Sequence, residues 1–219
     1  MTKQLVILGD SFCHGVGTVT PFKNLDNTKY AFGKYIADHF NLEYVNLAEP
    51  GISILRTIEI GYQYLVDHHA QVENIIIGWT NPSRLGIYSN TSALQILPSY
   101  ILLGDTADDN VFVDYDNDVK FITNQQNQKN LKVLPTLHRL VVENDFLNQK
   151  SNSLIYIKLF KAWLNSMNLA YYDFSVFGNV PEASLSLSFN DVMKPTTHPT
   201  KQEQQWFAEL LLRQIQKTK

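Results

Sequence analysis

Three short apolar runs, separated by two amphipathic stretches, constrain this chain more than any other feature of it. QLVILG (4–9) and VENIIIGW (72–79) are continuous and apolar, the pattern of strands covered on both faces. EYVNLA (43–48), closed by Pro50-Gly51, reads as a strand between them. TKYAFGKYIADHF (28–40) and SILRTIEIGYQYLVDHH (53–69) carry apolar residues at helical spacing, the second weakened but not broken by Gly61. Pro82 stops the third strand. This β-α-β-α-β alternation predicts an α/β fold, a three-layer α/β/α sandwich around a parallel sheet.

Beyond residue 85 the pattern changes. VFVDYDNDVKFIT (111–123) reads as a hairpin around Asp116, Asn117 and Asp118, residues that favour tight turns. NQQNQKN (124–130) reads as a loop or a helix start. PTLHRLVVENDFLNQ (135–149) and LIYIKLFKAWLNSMN (154–168) fit helices, and LAYYDFSVF (169–177) fits a strand. PTKQEQQWFAELLLRQIQ (199–216) is expected to close the chain as a helix with Pro199 in its first turn, where proline is tolerated. No repeat or low-complexity linker divides the sequence. It predicts a single domain over 1–219, with about 86–150 as an inserted hairpin and helical region and a candidate lid.

At 219 residues the chain is long enough for a large core. A formal charge of −3 without a basic stripe argues against nucleic acid as a partner. The one cysteine, Cys13, precludes an internal disulfide and fits a reducing compartment. Asp10 interrupts the apolar start, no small-residue cleavage site follows, and no apolar run approaches the roughly 20 residues of a membrane span. A soluble, cytoplasmic protein is expected.

Metal and phosphate motifs fail on their details. A calcium loop beginning at Asp114 would need glycine at its sixth and glutamate at its twelfth position, where Val119 and Gln125 stand. HGVGTVT (14–20) lacks the lysine and spacing of a phosphate-binding loop. His68-His69 lies at a helix end, with no further His or Cys cluster beside it in the sequence. Neither a metal nor an organic cofactor is expected.

LVILGDSFCHG (5–15) withstands the same scrutiny. Ser11 lies just past the carboxyl end of the first strand, where open α/β sheets place their ligand crevices. A serine nucleophile needs a general base within reach and donors aimed at the developing oxyanion. AEPGIS (48–53) offers the backbone N–H of Gly51, and GWTNPSR (78–84) offers the side-chain amide of Asn81. If the second and third strands flank the first, all three turns converge on one edge. His198, in KPTTHPT (194–200), immediately precedes the closing helix and is the candidate base. Asp10 is expected to bond the turn's own N–H groups, and Cys13 to pack beneath it. Trp79, Tyr88 and Tyr100 are candidates for a cleft wall, although core packing is the commoner place for an aromatic residue.

In this order of residues the chain resembles the SGNH, or GDSL, hydrolases, serine esterases and lipases distinct from the α/β-hydrolases. Gly9-Asp10-Ser11 with Gly15 matches the first family block, Gly51 within NLAEPGIS the second, Asn81 within IIIGWTN the third, and His198-Pro199 the fifth. The style of GWTNPSR and the short N-terminus are also similar to hydrolase-like proteins encoded by phages.

The resemblance implies a flavodoxin-like sheet and an ester hydrolase acting through an acyl-enzyme on Ser11. His198 would be the base, and Ser11 N–H, Gly51 N–H and Asn81 the oxyanion donors. Small-molecule or carbohydrate esters, O-acetyl esters above all, would be its substrates. Two departures stand out. Pro195 occupies the place of the aspartate that usually precedes the histidine by three residues, so Asp191, Asp173 or a backbone carbonyl would have to orient the ring. Trp79 and Pro82 stand where the third block has glycine and aspartate. The alternatives are a binding or structural protein that has lost efficient chemistry, and an acyltransferase using the same site.

Overall fold

Gln4–Leu8 is buried at every position, and a strand buried on both faces needs a neighbour on each edge and a layer on each side. The computed structural model describes residues 2–18, 27–82, 85–87, 99–101, 151–193 and 198–218. In chain order its strands are β1 (Gln4–Leu8), β2 (Glu43–Asn46), β3 (Val72–Trp79), β4 (Leu85–Ile87), β5 (Ser99–Ile101) and β6 (Tyr171–Ser175). Four of them form one sheet in the order β2-β1-β3-β6, every pair parallel. β4 and β5 form a separate antiparallel pair. The 2-1-3 order of the first three strands is that of flavodoxin-like doubly wound sheets.

The helices are α1 (Ser11–His14), α2 (Phe32–Phe40), α3 (Ile54–His68), α4 (151–166) and α5 (Lys201–Thr218). Alternation along the strands sorts the core into two layers. Leu5, Ile7 and Ile76 pack with Phe32 and Ile36 of α2 and with Phe207 and Leu211 of α5. Val6, Leu8, Ile75 and Ile77 pack with Ile54 and Leu65 of α3 and with Ile157, Phe160 and Leu164 of α4. The expected three-layer α/β architecture is therefore the observed one. Gly61 has a packing reason: a Cβ there would stand 2.7 Å from Leu8 Cδ1, so α3 lies against β1 only where the side chain is absent.

β1, β2 and β6 are one to four residues shorter than expected, and three helix boundaries differ for a reason the structure shows. Asn27–Tyr30 is a 3₁₀ turn, and α2 begins only at Phe32. Asn168, in the left-handed region at φ 54°, ends the helical run before the expected residue 168. Pro199 lies outside α5 rather than in its first turn. Thr200 and Glu203 form a reciprocal cap there, Thr200 N–H donating to Glu203 Oε2 at 2.7 Å and Glu203 N–H to Thr200 Oγ1 at 3.3 Å, and this fixes the helix start one residue later. The expected hairpin at 111–123, the loop at 124–130 and the helix at 135–149 lie outside the described residues. No helix among the described residues is long and apolar enough to cross a membrane.

Candidate active site

The chain leaves β1 through Gly9 and turns at Asp10 into the single-turn helix α1, which Ser11 opens. Asp10 is fully buried and does two things. One carboxylate oxygen accepts from Phe12 N–H at 3.0 Å and caps α1; the other accepts from the Thr80 hydroxyl at 2.8 Å. This is the expected turn-binding role for Asp10, extended to the segment after β3.

The loop after β2 is tied to the same turn. Glu49 N–H donates to Gly9 O at 3.1 Å, and Asn46 Nδ2 donates to Cys13 O at 3.2 Å. Because β1 lies between β2 and β3, the three loops carrying Ser11, Gly51 and Asn81 leave the sheet at one edge. Gly51 adopts φ 76°, a conformation suited to glycine. Asn81 is half-buried, directly after Thr80.

His198 reaches this turn from the far end of the chain. Its Nε2 lies 3.0 Å from Ser11 Oγ across 187 residues of sequence. With that nitrogen unprotonated, the Ser11 hydroxyl donates to it. The imidazole lies against the Phe12 ring, with centroids 5.1 Å apart. Behind it runs the backbone of Gly17, where an added Cβ would stand 2.7 Å from His198 Cβ.

The carboxylates proposed to orient the ring are engaged elsewhere. Asp191 Oδ2 accepts from Ser188 N–H at 2.6 Å, closing a reciprocal cap on the turn Phe189–Asp191. No bond among the described residues joins Asp191 to His198: a partner three residues away in a tight turn takes the carboxylate first. Asp173 is fully buried on β6 and accepts from Trp79 Nε1 at 2.7 Å, Lys161 Nζ at 3.0 Å and Ser184 N–H at 3.1 Å, and from the Ser184 hydroxyl. The bond from Trp79 Nε1 places that residue in the core, the commoner of the two readings of it, and not on a cleft wall. Its ring is fully buried against Phe160, because the only polar atom of the indole finds its acceptor inside. Pro195, Tyr88 and the side chain of Tyr100 lie outside the described residues.

Two neighbours of Ser11 are set by burial. Desolvation, reinforced by the Asp10 charge, pushes the Cys13 thiol well above its ordinary value, so it stays a thiol and packs against Gly9 and Gly78. Desolvation also holds the His14 imidazole below its ordinary value, with Glu49 acting in the opposite direction. No group of three or more His, Cys, Asp or Glu side chains among the described residues is placed to hold a metal ion.

Sequence reasoning missed Gly17 and Gln204. Gln204 is fully buried at the start of α5; its Oε1 accepts from Phe32 N–H and its Nε2 donates to Phe12 O, each at 2.9 Å. The signal was present in the spacing: Gln204 stands in line with Phe207, Ala208, Leu211 and Ile215 on the buried stripe of α5, and a polar residue in such a stripe has partners to find.

No protein-family model matches the sequence, and no curated protein matches it. Among solved structures the chain is similar to a protein described as lipolytic and of the G-D-S-L family from Desulfitobacterium hafniense DCB-2, at 12% identity and a TM-score of 0.39 over 96% of this chain and 98% of the other. It is similar also to the psychrotrophic esterase EstA from Pseudoalteromonas sp., at 11% identity and a TM-score of 0.41 over 98% and 97%. A family two carbohydrate esterase from Clostridium thermocellum, solved with cellohexaose, matches at 14% identity and a TM-score of 0.41 over 99% of this chain and 64% of the other. These likenesses are loose, with every TM-score below 0.5.

Proposed function

We propose that this protein is a serine ester hydrolase. The observation that carries the reading is the 3.0 Å separation of His198 Nε2 from Ser11 Oγ, which lies within the reach a general base needs. His198 takes the hydroxyl proton as Oγ attacks the acyl carbonyl. The tetrahedral oxyanion is received by Ser11 N–H, Gly51 N–H and the Asn81 side-chain amide; each such donor is worth about 10²–10³-fold in turnover. The intermediate collapses as His198 returns the proton to the leaving alcohol. Water, deprotonated by the same imidazole, then releases the acid from the acyl-enzyme. Short acyl esters, O-acetyl groups on carbohydrates among them, are the substrates we favour.

Hydrolysis of p-nitrophenyl acetate and of longer-chain esters tests this, with wild type beside Ser11→Ala and His198→Ala. The expected result is turnover in the wild type that falls to background in both variants. Wild-type protein that neither turns over these esters nor takes a fluorophosphonate on Ser11 would move the fold to a binding role. Preferential transfer to an added alcohol over water would identify an acyltransferase.

A further inference from the structure

We infer that Gln204 is a positioning residue that sets the separation of Ser11 from His198; the inference rests on the hydrolase reading above. Helix ends leave backbone groups without intrahelical partners, and two such ends meet here. α1 is a single turn closed by Gly15, so Gly15 N–H and Val16 N–H both return to Ser11 O. Phe12 O, the carbonyl beside the nucleophile, is thereby left over inside the protein. α2 starts at Phe32 behind Ala31, and Phe32 N–H, the first of that helix, has no intrahelical acceptor. Gln204 serves both, accepting from Phe32 N–H and donating to Phe12 O at 2.9 Å each. Its amide has only one workable orientation here, since one partner donates and the other accepts.

The consequence is mechanical. Gln204 N–H makes the first backbone bond of α5, to Thr200 O at 3.0 Å, and His198 stands two residues before Thr200. One amide therefore ties the turn that carries the nucleophile to the helix start that carries the base. Apolar packing resists separation but tolerates sliding, because dispersion contacts are not directional. Two hydrogen bonds at fixed geometry do not tolerate it.

The test compares wild type with Gln204→Met, which keeps the volume and removes both bonds, and Gln204→Glu. A neutral carboxylic acid restores both bonds, its carbonyl accepting from Phe32 N–H and its O–H donating to Phe12 O. Burial favours that neutral form. Ester turnover is read well below each variant's melting temperature, and ¹H–¹⁵N spectra of the imidazole report His198 with or without activity.

We expect Gln204→Met to lower kcat on the order of 10²-fold, the cost of a misplacement near 1 Å, with KM within about twofold and the His198 ring signals displaced. Measured against wild type at the same pH, so that protonation of His198 itself cancels, Gln204→Glu should recover both readouts where its carboxyl is neutral and lose them as the pH rises and it ionises. A Gln204→Met protein that melts earlier yet keeps wild-type kcat and ring signals overturns the inference. If that variant does not fold, Gln204→Glu decides: ring signals that stay equal to wild type across the pH range in which the carboxyl is seen to ionise by its infrared carboxylate stretch overturn it as well. A wild type without turnover or fluorophosphonate labelling would refute the hydrolase reading, while the ring signals would still judge Gln204.

Discussion

A methyl group at position 17 would have to share the φ of +92° and would stand 2.7 Å from His198 Cβ. The first demand costs about 1–2 kcal/mol for a side-chain-bearing residue. The second displaces the imidazole from its place between this backbone and Phe12. Gly17→Ala is therefore expected to reduce ester turnover about 10–100-fold while the protein stays folded, as kcat beside a melting curve will report. Unchanged kcat would remove Gly17 from the support of the ring. Cys13 illustrates the opposite case. It stands two residues from the nucleophile, yet full burial and the Asp10 charge keep its thiol protonated, so proximity alone does not confer reactivity.

Among the elements, α4 is held to the sheet by charge as well as by packing. Lys161 Nζ donates to Asp173 Oδ2 at 3.0 Å and to Glu182 O at 2.7 Å, with Asp173 fully buried. The same carboxylate holds the Trp79 indole at the last residue of β3, directly before Thr80 and Asn81. Lys161→Met removes the cation and leaves a buried carboxylate, so it should cost about 3 kcal/mol of unfolding free energy. Urea denaturation measures this, and a loss below about 1 kcal/mol would mark the pair as a surface interaction. Adding Asp173→Asn to Lys161→Met should recover part of the loss, because the uncompensated charge disappears with it.

At the scale of the sheet, the order β2-β1-β3-β6 among the described residues places β1 and β3 between neighbours on both sides, with β2 paired there to β1 alone. The amides of β1 are thus expected to exchange with solvent only through global unfolding, more slowly than those of β2. Native-state hydrogen exchange would show this, and β1 amides exchanging faster than those of β2 would contradict the order.

The alternation of QLVILG, EYVNLA and VENIIIGW with two amphipathic helices was enough to determine the layers and the parallel sheet. Burial on both faces writes itself into a run of apolar residues, and local periodicity is visible without knowing any partner. The candidacy of Ser11, Gly51, Asn81 and His198 was legible for a related reason. Each lies at the end of a legible element, and sheet topology brings such ends to one edge.

What only the tertiary structure decided concerns which residues meet across long separations. Trp79 meets Asp173 94 positions away, and Gln204 meets Phe12 192 positions away. The place of Pro199 outside α5 and the engagement of Asp191 with Ser188, by contrast, are set by partners three residues away, a spacing already present in the sequence. Apolar pattern specifies which face is buried, because the hydrophobic effect is non-directional. A buried hydrogen bond requires one donor and one acceptor at a particular distance and angle, and that pairing is absent until packing has set the backbone.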